Sequence, residues 1–423
     1  MIPHRIPWHA RTAPHDVAVV DETLDRTLTY AELADRIGRI AGYLRGRGIG
    51  RGDRVAVLAR NGHHVLELQY ACAALGAIFV SLNWRLSIVE LRSAVDDCRP
   101  SLLVHEPSLA HELGIPAFVL DAGWELAVRE AAAVAWGDVD DADPWCIVYT
   151  SGTTGTPKGV VISHSSARAT MLSVVVASRI TAETVSLNVL PFCHVAGLNL
   201  FTNPTLFMGG TVVLLRDFEP ARALAILLER DITHVCGVPA IFKFMQALPA
   251  WSSKRFDGLR IMIGGAPVTD GLIQAWMDRG ARPRTVYGIS EAGAAVLMVP
   301  DGEAESHLGT VGQPAHACSY SHPRQGGRGG ACGNGGPALH RRTERDTRLL
   351  GKSRPHDAID RELLACSTTA GARSGTRSSS SGTATSCRPM ACVPSHVTAL
   401  PVTRSRATSP GSTLSCATRL ARF

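Results

Sequence analysis

"YTSGTTGTPKGV", Tyr149–Val160, decides how this chain is read. An apolar run, "WCIVY", leads into it, and a second, "VVIS", follows it. Gly152, Gly155 and Gly159 let a backbone come close to a ligand and turn its N–H groups inward. Thr150, Ser151, Thr153 and Thr154 add hydroxyl donors, and Lys158 adds a point charge suited to phosphate. A Walker A loop reads G-x-x-x-x-G-K-[ST]; here Pro157 precedes the lysine and Gly159 follows it, so no hydroxyl stands ready for magnesium. The stretch reads as a different phosphate cradle. Composition alone would also allow a polar surface loop rich in turn formers.

On both sides of the loop, apolar strands alternate with amphipathic helices. "TYAELADRIGRIAGYLRGRG" opens on a capping box, Thr29 with Glu32, and Leu33, Ile37, Ile40 and Leu44 keep one apolar face up to a stop at Gly48. "DRVAVLA" and "AIFVSL" read as strands around the helix "HHVLELQYACAALG", and "SIVELRSAVDDC" as a helix with Ser87 and Glu90 as its capping box. Beyond the loop, "TVVLLRD", "THVCGV", "LRIMIGG" and "RTVYGI" read as strands; "PARALAILLERD", "PAIFKFMQAL" and "TDGLIQAWMDRG" are helices between them. This alternation predicts an α/β fold of layered helices and largely parallel sheets.

The apolar fraction of 45% and charged fraction of 19% are those of a globular chain. No stretch is long and apolar enough for a membrane span, and no secretory signal is visible, so a cytoplasmic place is expected. Cys72, Cys98, Cys146, Cys193 and Cys236 are scattered without metal-ligand spacing and read as reduced core thiols. The net charge of +6 is uneven. Residues 316–423 hold fifteen Arg and one Lys against five acids, whereas residues 1–315 are net acidic.

The string 149–160 resembles the signature loop of the adenylate-forming enzymes, [YF]-T-S-G-[ST]-T-G-x-P-K-G-V, along its whole length. That superfamily comprises acyl-CoA synthetases, luciferases and peptide-synthetase adenylation domains. Further strings resemble its motifs in the same order. "PFCHVAGLN", Pro191–Asn199, is similar to the P-x-x-H-x-x-G segment near the acyl tunnel, and "GGAPV", Gly264–Val268, to the turn beside adenine. "YGISEAG", Tyr287–Gly293, is similar to Y-G-x-T-E, and "VSLNWRL", Val80–Leu86, is typical of acid–CoA ligases. The resemblance implies ATP-dependent activation of a carboxylic acid, expected to be a fatty acid, to an acyl-adenylate and then a coenzyme A thioester. It implies β- and γ-phosphate contacts from Thr150, Ser151, Gly152, Thr153, Thr154, Gly155 and Lys158. Glu291 would carry Mg2+. Tyr287 and Gly288 would lie on one side of adenine, with Gly265, Ala266 and Pro267 along its other edge. Ser290, where the family usually has Thr, keeps a hydroxyl for the α-phosphate, and His194 would stand between the carboxylate and the tunnel. The catalytic set is then Lys158, His194 and Glu291.

The resemblance fades near "GTVGQPA", which divides the chain into residues 1–315, part of an AMP-binding domain, and residues 316–423, a basic low-complexity tail. The family's T-G-D string, hinge and late lysine do not follow; "LLGKSRP" only loosely echoes the late segment, so Lys352 is not assigned that role. The loss of hydrophobic periodicity and the excess of Arg, Ser, Gly and Pro suggest a shift of reading frame near His316 in a GC-rich gene. The tail's charge is then an accident of codons. It lacks the aromatic interleaving and the module of a nucleic-acid binder, and no nucleic-acid partner is expected. Impaired thioester formation is expected for such a chain, and a non-catalytic nucleotide- or acyl-binding remnant is the alternative. Hydrogen exchange checks the division: residues 30–300 are expected to be protected and the tail not, and slow exchange throughout the tail would refute the frameshift.

Overall fold

The computed structural model describes residues 5–109, 112–150 and 157–315, and all of these fall within one compact unit. The expected lack of a packed core after residue 315 lies outside the described residues. Helix α1 (Ile6–Thr12) and the hairpin β1 (Val17–Asp21) and β2 (Arg26–Thr29) lead into α2 (Tyr30–Arg45). Then come β3 (Arg54–Leu58), α3 (His63–Leu75), β4 (Ile78–Ser81), α4 (Ile88–Cys98), β5 (Leu102–His105), β6 (Ala117–Val119) and α5 (Ala122–Glu130). Strands β7 (Pro144–Thr150) and β8 (Lys158–Ser163) flank the signature loop. The second half runs α6 (His164–Ser178), β9 (Val185–Asn188), α7 (Val195–Asn199), α8 (Thr202–Met208), β10 (Thr211–Leu214), α9 (Pro220–Glu229) and β11 (His234–Gly237). It closes with α10 (Pro239–Gln246), β12 (Arg260–Gly264), α11 (Asp270–Met277), β13 (Arg282–Tyr287), β14 (Leu297–Met298) and β15 (Gln313–Pro314).

Two sheets result. One has the order β6-β5-β3-β4-β7-β8, parallel except for β8; the other has the order β15-β14-β13-β12-β11-β9-β10-β1-β2, parallel from β13 to β1. The α/β reading therefore holds, with every strand and helix named from the sequence present. Both capping boxes form, Thr29 with Glu32 and Ser87 with Glu90. One boundary moves. Helix α2 ends at Arg45, and Gly48, with φ +81°, serves the turn beyond it instead of the helix stop.

Helix α3 joins the two sheets. It is buried on every side from His63 to Ala74, because it packs against α2 and β1 on one hand and β4 and β7 on the other. Its polar residues therefore need partners indoors. Glu67, fully buried, meets Arg36 in a two-pronged ion pair at 2.6 and 3.0 Å, and Arg36 also reaches Glu125. Helix α4 covers the far side of the six-stranded sheet, where Leu91, Ala94, Val95 and Cys98 pack on Leu58, Val80, Leu103 and Ile147.

Burial keeps several imidazoles neutral. It pushes His64 down to about 3, and His164 and His234 down to about 4. The unfolded chain takes up these protons near pH 6.5, whereas the folded chain does not. Stability is thus full above that pH and is lost on acidification towards the folded values. At pH 5.5 each of the three is expected to cost about 1.4 kcal/mol. A urea midpoint unchanged between pH 7.5 and 5.5 would contradict this burial.

Candidate active site

Parallel strands release their following loops at one edge. In the nine-stranded sheet β9, β11, β12 and β13 are successive parallel neighbours, so residues after Asn188, Gly237, Gly264 and Tyr287 emerge together. The chain also changes direction here. β10 lies on one side of β9 and β11 on the other, so the connecting helices leave towards opposite faces. Ligands of open α/β sheets bind in the crevice that such a switch opens.

Three glycines set the local shape. A Cβ on Gly264 would stand 2.3 Å from the Val286 carbonyl, and one on Gly288 would stand 1.8 Å from that of Ala294. Gly293, at φ +86°, seats its turn on α6, where a Cβ would fall 2.2 Å from Thr170 Oγ1. Gly265 takes φ +76° and turns the exposed Ala266 and Pro267 outward from β12. Tyr287 ends β13 next to them, half-buried, and Gly288 follows. Ser290 and Glu291 occupy a short 3-10 turn, Ser290–Ala292. Ala294 just after it holds φ +97°, a strained value for a residue with a side chain.

The six-stranded sheet brings its own edge to this place. Thr150 and Lys158 face each other at the open end of the β7–β8 hairpin, with Thr150 Oγ1 donating to the Lys158 carbonyl at 3.5 Å. Tyr149, which begins the signature, points away from the loop; its hydroxyl lies 2.9 Å from both the Ala94 carbonyl and Asp97 and ties the hairpin to α4. The Ser290–Ala292 turn lies against β8, so the lysine strand and the glutamate turn are neighbours although they come from different sheets. Ser151, Gly152, Thr153, Thr154 and Gly155 lie outside the described residues.

His194 starts α7 at the same edge, with β11 and β12 between its strand and β13. Its side chain opens to solvent from a recess. Desolvation there, then the charge of Arg85 beyond β4, lower its pKa below the ordinary value. It is therefore neutral at pH 7, able to accept or share a proton but not to act as a fixed cation. Arg85 belongs to the string "VSLNWRL", but nothing in that string showed that it faces the histidine.

Buried polar contacts lock the two edges together. Asn61, after β3, donates to the Leu190 and Leu215 carbonyls and accepts from the Phe192 amide. Asp21, at the end of β1, binds the His63 amide and ring at 2.9 Å each. Burial of Asp21 works against its charge, but hydrogen bonds from His63 and Leu24 outweigh it and hold the carboxyl below its usual range. Glu106, after β5, meets Arg216 at 2.5 Å and the Arg60 amide at 2.8 Å. Sequence reasoning missed all three, because each joins residues distant along the chain.

The described residues contain no cluster of three or more His, Cys, Asp or Glu side chains that could enclose a metal ion. The exposed carboxylate of Glu291 suits a different kind of site. Mg2+ keeps most of its water and takes one or two carboxylates together with substrate phosphates. Lys158 thus begins the strand on which the Ser290–Ala292 turn packs, Gly265 and Tyr287 stand at the ends of neighbouring strands, and His194 follows β9 farther along the same edge.

A family model described as AMP-binding enzyme matches residues 6–321. The chain is 36% identical over 316 residues to a feruloyl-CoA synthase of an Amycolatopsis species, covering 72% of this chain and 62% of that protein. It is 33% identical over 331 residues to the indoleacetate–CoA ligase of Aromatoleum aromaticum, covering 74% and 64%. The inhibitor-bound N-terminal domain of FACL13 from Mycobacterium tuberculosis superposes with a TM-score of 0.70 at 26% identity, covering 75% of this chain and 82% of that one. The chain thus spans just over three-fifths of the length of these curated relatives. Matched from residue 6 to residue 321, through the strands of both sheets, the chain belongs to the AMP-binding enzyme family.

Proposed function

We propose that the cleft activates a carboxylic acid with ATP and then transfers the acyl group to coenzyme A. In the first step a carboxylate oxygen attacks the α-phosphorus, the bond from that phosphorus to the pyrophosphate oxygen breaks, and an acyl-adenylate forms. In the second, the thiolate of coenzyme A attacks the acyl carbon and AMP leaves. The observation that carries this reading is the packing of β8, the strand that begins at Lys158, against the Ser290–Ala292 turn that holds Glu291. It supports a site to which elements of both sheets contribute.

The protein's share is positioning and charge neutralisation, as in phosphoryl transfer generally. Lys158 and the loop from Thr150 to Gly155 hold the β- and γ-phosphates, and Ser290 offers a hydroxyl to the α-phosphate. Tyr287 and Gly288 flank adenine opposite Gly265, Ala266 and Pro267. Glu291 would hold Mg2+, which when bound would draw charge from the phosphate oxygens. His194, neutral in its recess, orients the acid. Two relatives named for aromatic acids favour an aryl acid over the fatty acid expected from sequence motifs. Among the described residues, five buried free thiols support a cytoplasmic setting. Among the described residues no helix is long and apolar enough to cross a membrane.

The test incubates the 423-residue chain with ATP, Mg2+, coenzyme A and a panel of cinnamic, arylacetic and fatty acids. Pyrophosphate and acyl-CoA are measured separately. Acid-dependent pyrophosphate release supports adenylation, and acyl-CoA supports the second half. Nucleotide binding without pyrophosphate from any acid would leave the remnant reading.

Lys158→Ala is expected to lower adenylation by about 10² to 10³, the usual cost of one charge contact at a transition state. Unchanged ATP binding and turnover would remove Lys158 from the site. Glu291→Gln is expected to raise the magnesium concentration needed for half-maximal rate, and an unaltered titration would take the metal away from this residue.

A further inference from the structure

The peptide before His194 is held by a residue of the other sheet. Asn61 follows β3, and its carboxamide is buried. Its Oδ1 accepts the Phe192 N–H at 2.8 Å, and its Nδ2 donates to the Leu190 carbonyl at 2.9 Å and the Leu215 carbonyl at 3.1 Å. Only a group with an acceptor on one side and two donors on the other fits this set, so an aspartate or a leucine of similar shape does not. Asn188 grips the same segment, exchanging hydrogen bonds with the amide and carbonyl of Leu190. The His194 amide then donates back to the Pro191 carbonyl at 3.1 Å.

The other end of the segment is tied to the same strand–helix unit. Tyr70 on α3 donates to Asn203 Oδ1 at 2.9 Å, and Asn203 donates to Asn199 Oδ1 at 3.0 Å. Between these ties there is no slack. A Cβ on Gly197 would stand 2.3 Å from the Pro191 carbonyl.

We propose that Asn61 is a positioning residue for His194: it carries the placement of β3 in one sheet into the height of the imidazole in the cleft beside the other. What His194 does there rests on the ligase reading, but its placement by Asn61 does not. Asn61 touches no reacting group. It fixes the backbone two to four residues upstream, and through it the distance from the imidazole to Arg85 and to the acid. Its influence therefore falls on the acid and not on ATP, whose groups stand on other loops.

The experiment compares Asn61→Ala, Gly197→Ala and a control, Tyr30→Phe, in the full chain. Gly197→Ala pushes the same segment from the opposite side without leaving a buried polar atom unpaired, which covers the case where Asn61→Ala does not fold. Tyr30→Phe removes a buried hydrogen bond of the same kind, Tyr30 to the Gly210 carbonyl at 2.7 Å, far from His194 in the chain. The first readout is the titration of the His194 ring followed by NMR, assigned with His194→Gln. The charged group facing that ring is Arg85. Freed from its recess, His194 is expected to titrate closer to 6.5 in both segment variants and to be unmoved in Tyr30→Phe. A His194 titration identical to that of the parent in a folded Asn61→Ala or Gly197→Ala overturns the proposal. The second readout is the split of KM in pyrophosphate release. KM for the acid is expected to rise about tenfold or more, since small misplacements cost up to about 10², while KM for ATP changes less than about twofold. Equal rises in both would mark a merely structural role. If no acid supports pyrophosphate release yet the His194 titration moves, the ligase reading fails and the positioning stands.

Discussion

Two sheets can make one cleft only if their edges are held face to face, and here buried hydrogen bonds do that. The Asn61 amide spans the gap with three bonds, Asp21 grips the start of α3, and Glu106 meets Arg216. Apolar packing around α3 supplies most of the cohesion between the sheets, but it is non-directional and would tolerate a sliding fit. The polar contacts are less forgiving. Each buried partner left unpaired costs about 1–3 kcal/mol, so a shift of one edge against the other is penalised several times over. Register between the sheets is therefore set at the strand ends that carry these contacts.

The floor of the cleft obeys a different constraint, that of close backbone approach. Gly264, Gly288 and Gly293 each stand where a single methyl would collide with a carbonyl or a hydroxyl. Their absence of a side chain lets β12 and β13 run their ends close together and lets the Glu291 turn sit down on α6 beside β8. The strained φ of Ala294 shows that the turn is shaped by its surroundings and not by its own preference. The strand that begins at Lys158 and the turn that holds Glu291 thus pack together through main-chain geometry.

Local interactions were legible in the sequence, and distant ones were not. Thr29 with Glu32 and Ser87 with Glu90 act across three residues, so the letters alone give the caps. The strands before and after the glycine-rich loop show as apolar runs, and the strings "GGAPV" and "YGISEAG" stand at the ends of such runs. Gly48 reads as the helix stop because both Gly46 and Gly48 punctuate the same turn, whereas the cap is Gly46. The segment from β9 to β10 carries α7 and α8, which the sequence did not announce; α7 spans only Val195–Asn199, too short for a period to show. Asn61 has partners 129, 131 and 154 residues away, and no spacing rule reaches so far. It reads as a loop asparagine before a helix, which is what its neighbours suggest. Arg85 was visible in a family string, but its effect on His194 comes from the docking of two sheets.

The central claim is that both sheets contribute to one nucleotide site. A crystal structure of the chain grown with ATP and Mg2+ tests it most directly. The account expects the triphosphate between Lys158 and the Ser290–Glu291 turn, with adenine against Tyr287 on one side and Gly265–Pro267 on the other. Nucleotide bound wholly within one sheet's loops, or with its phosphates away from Lys158 and Glu291, would contradict it.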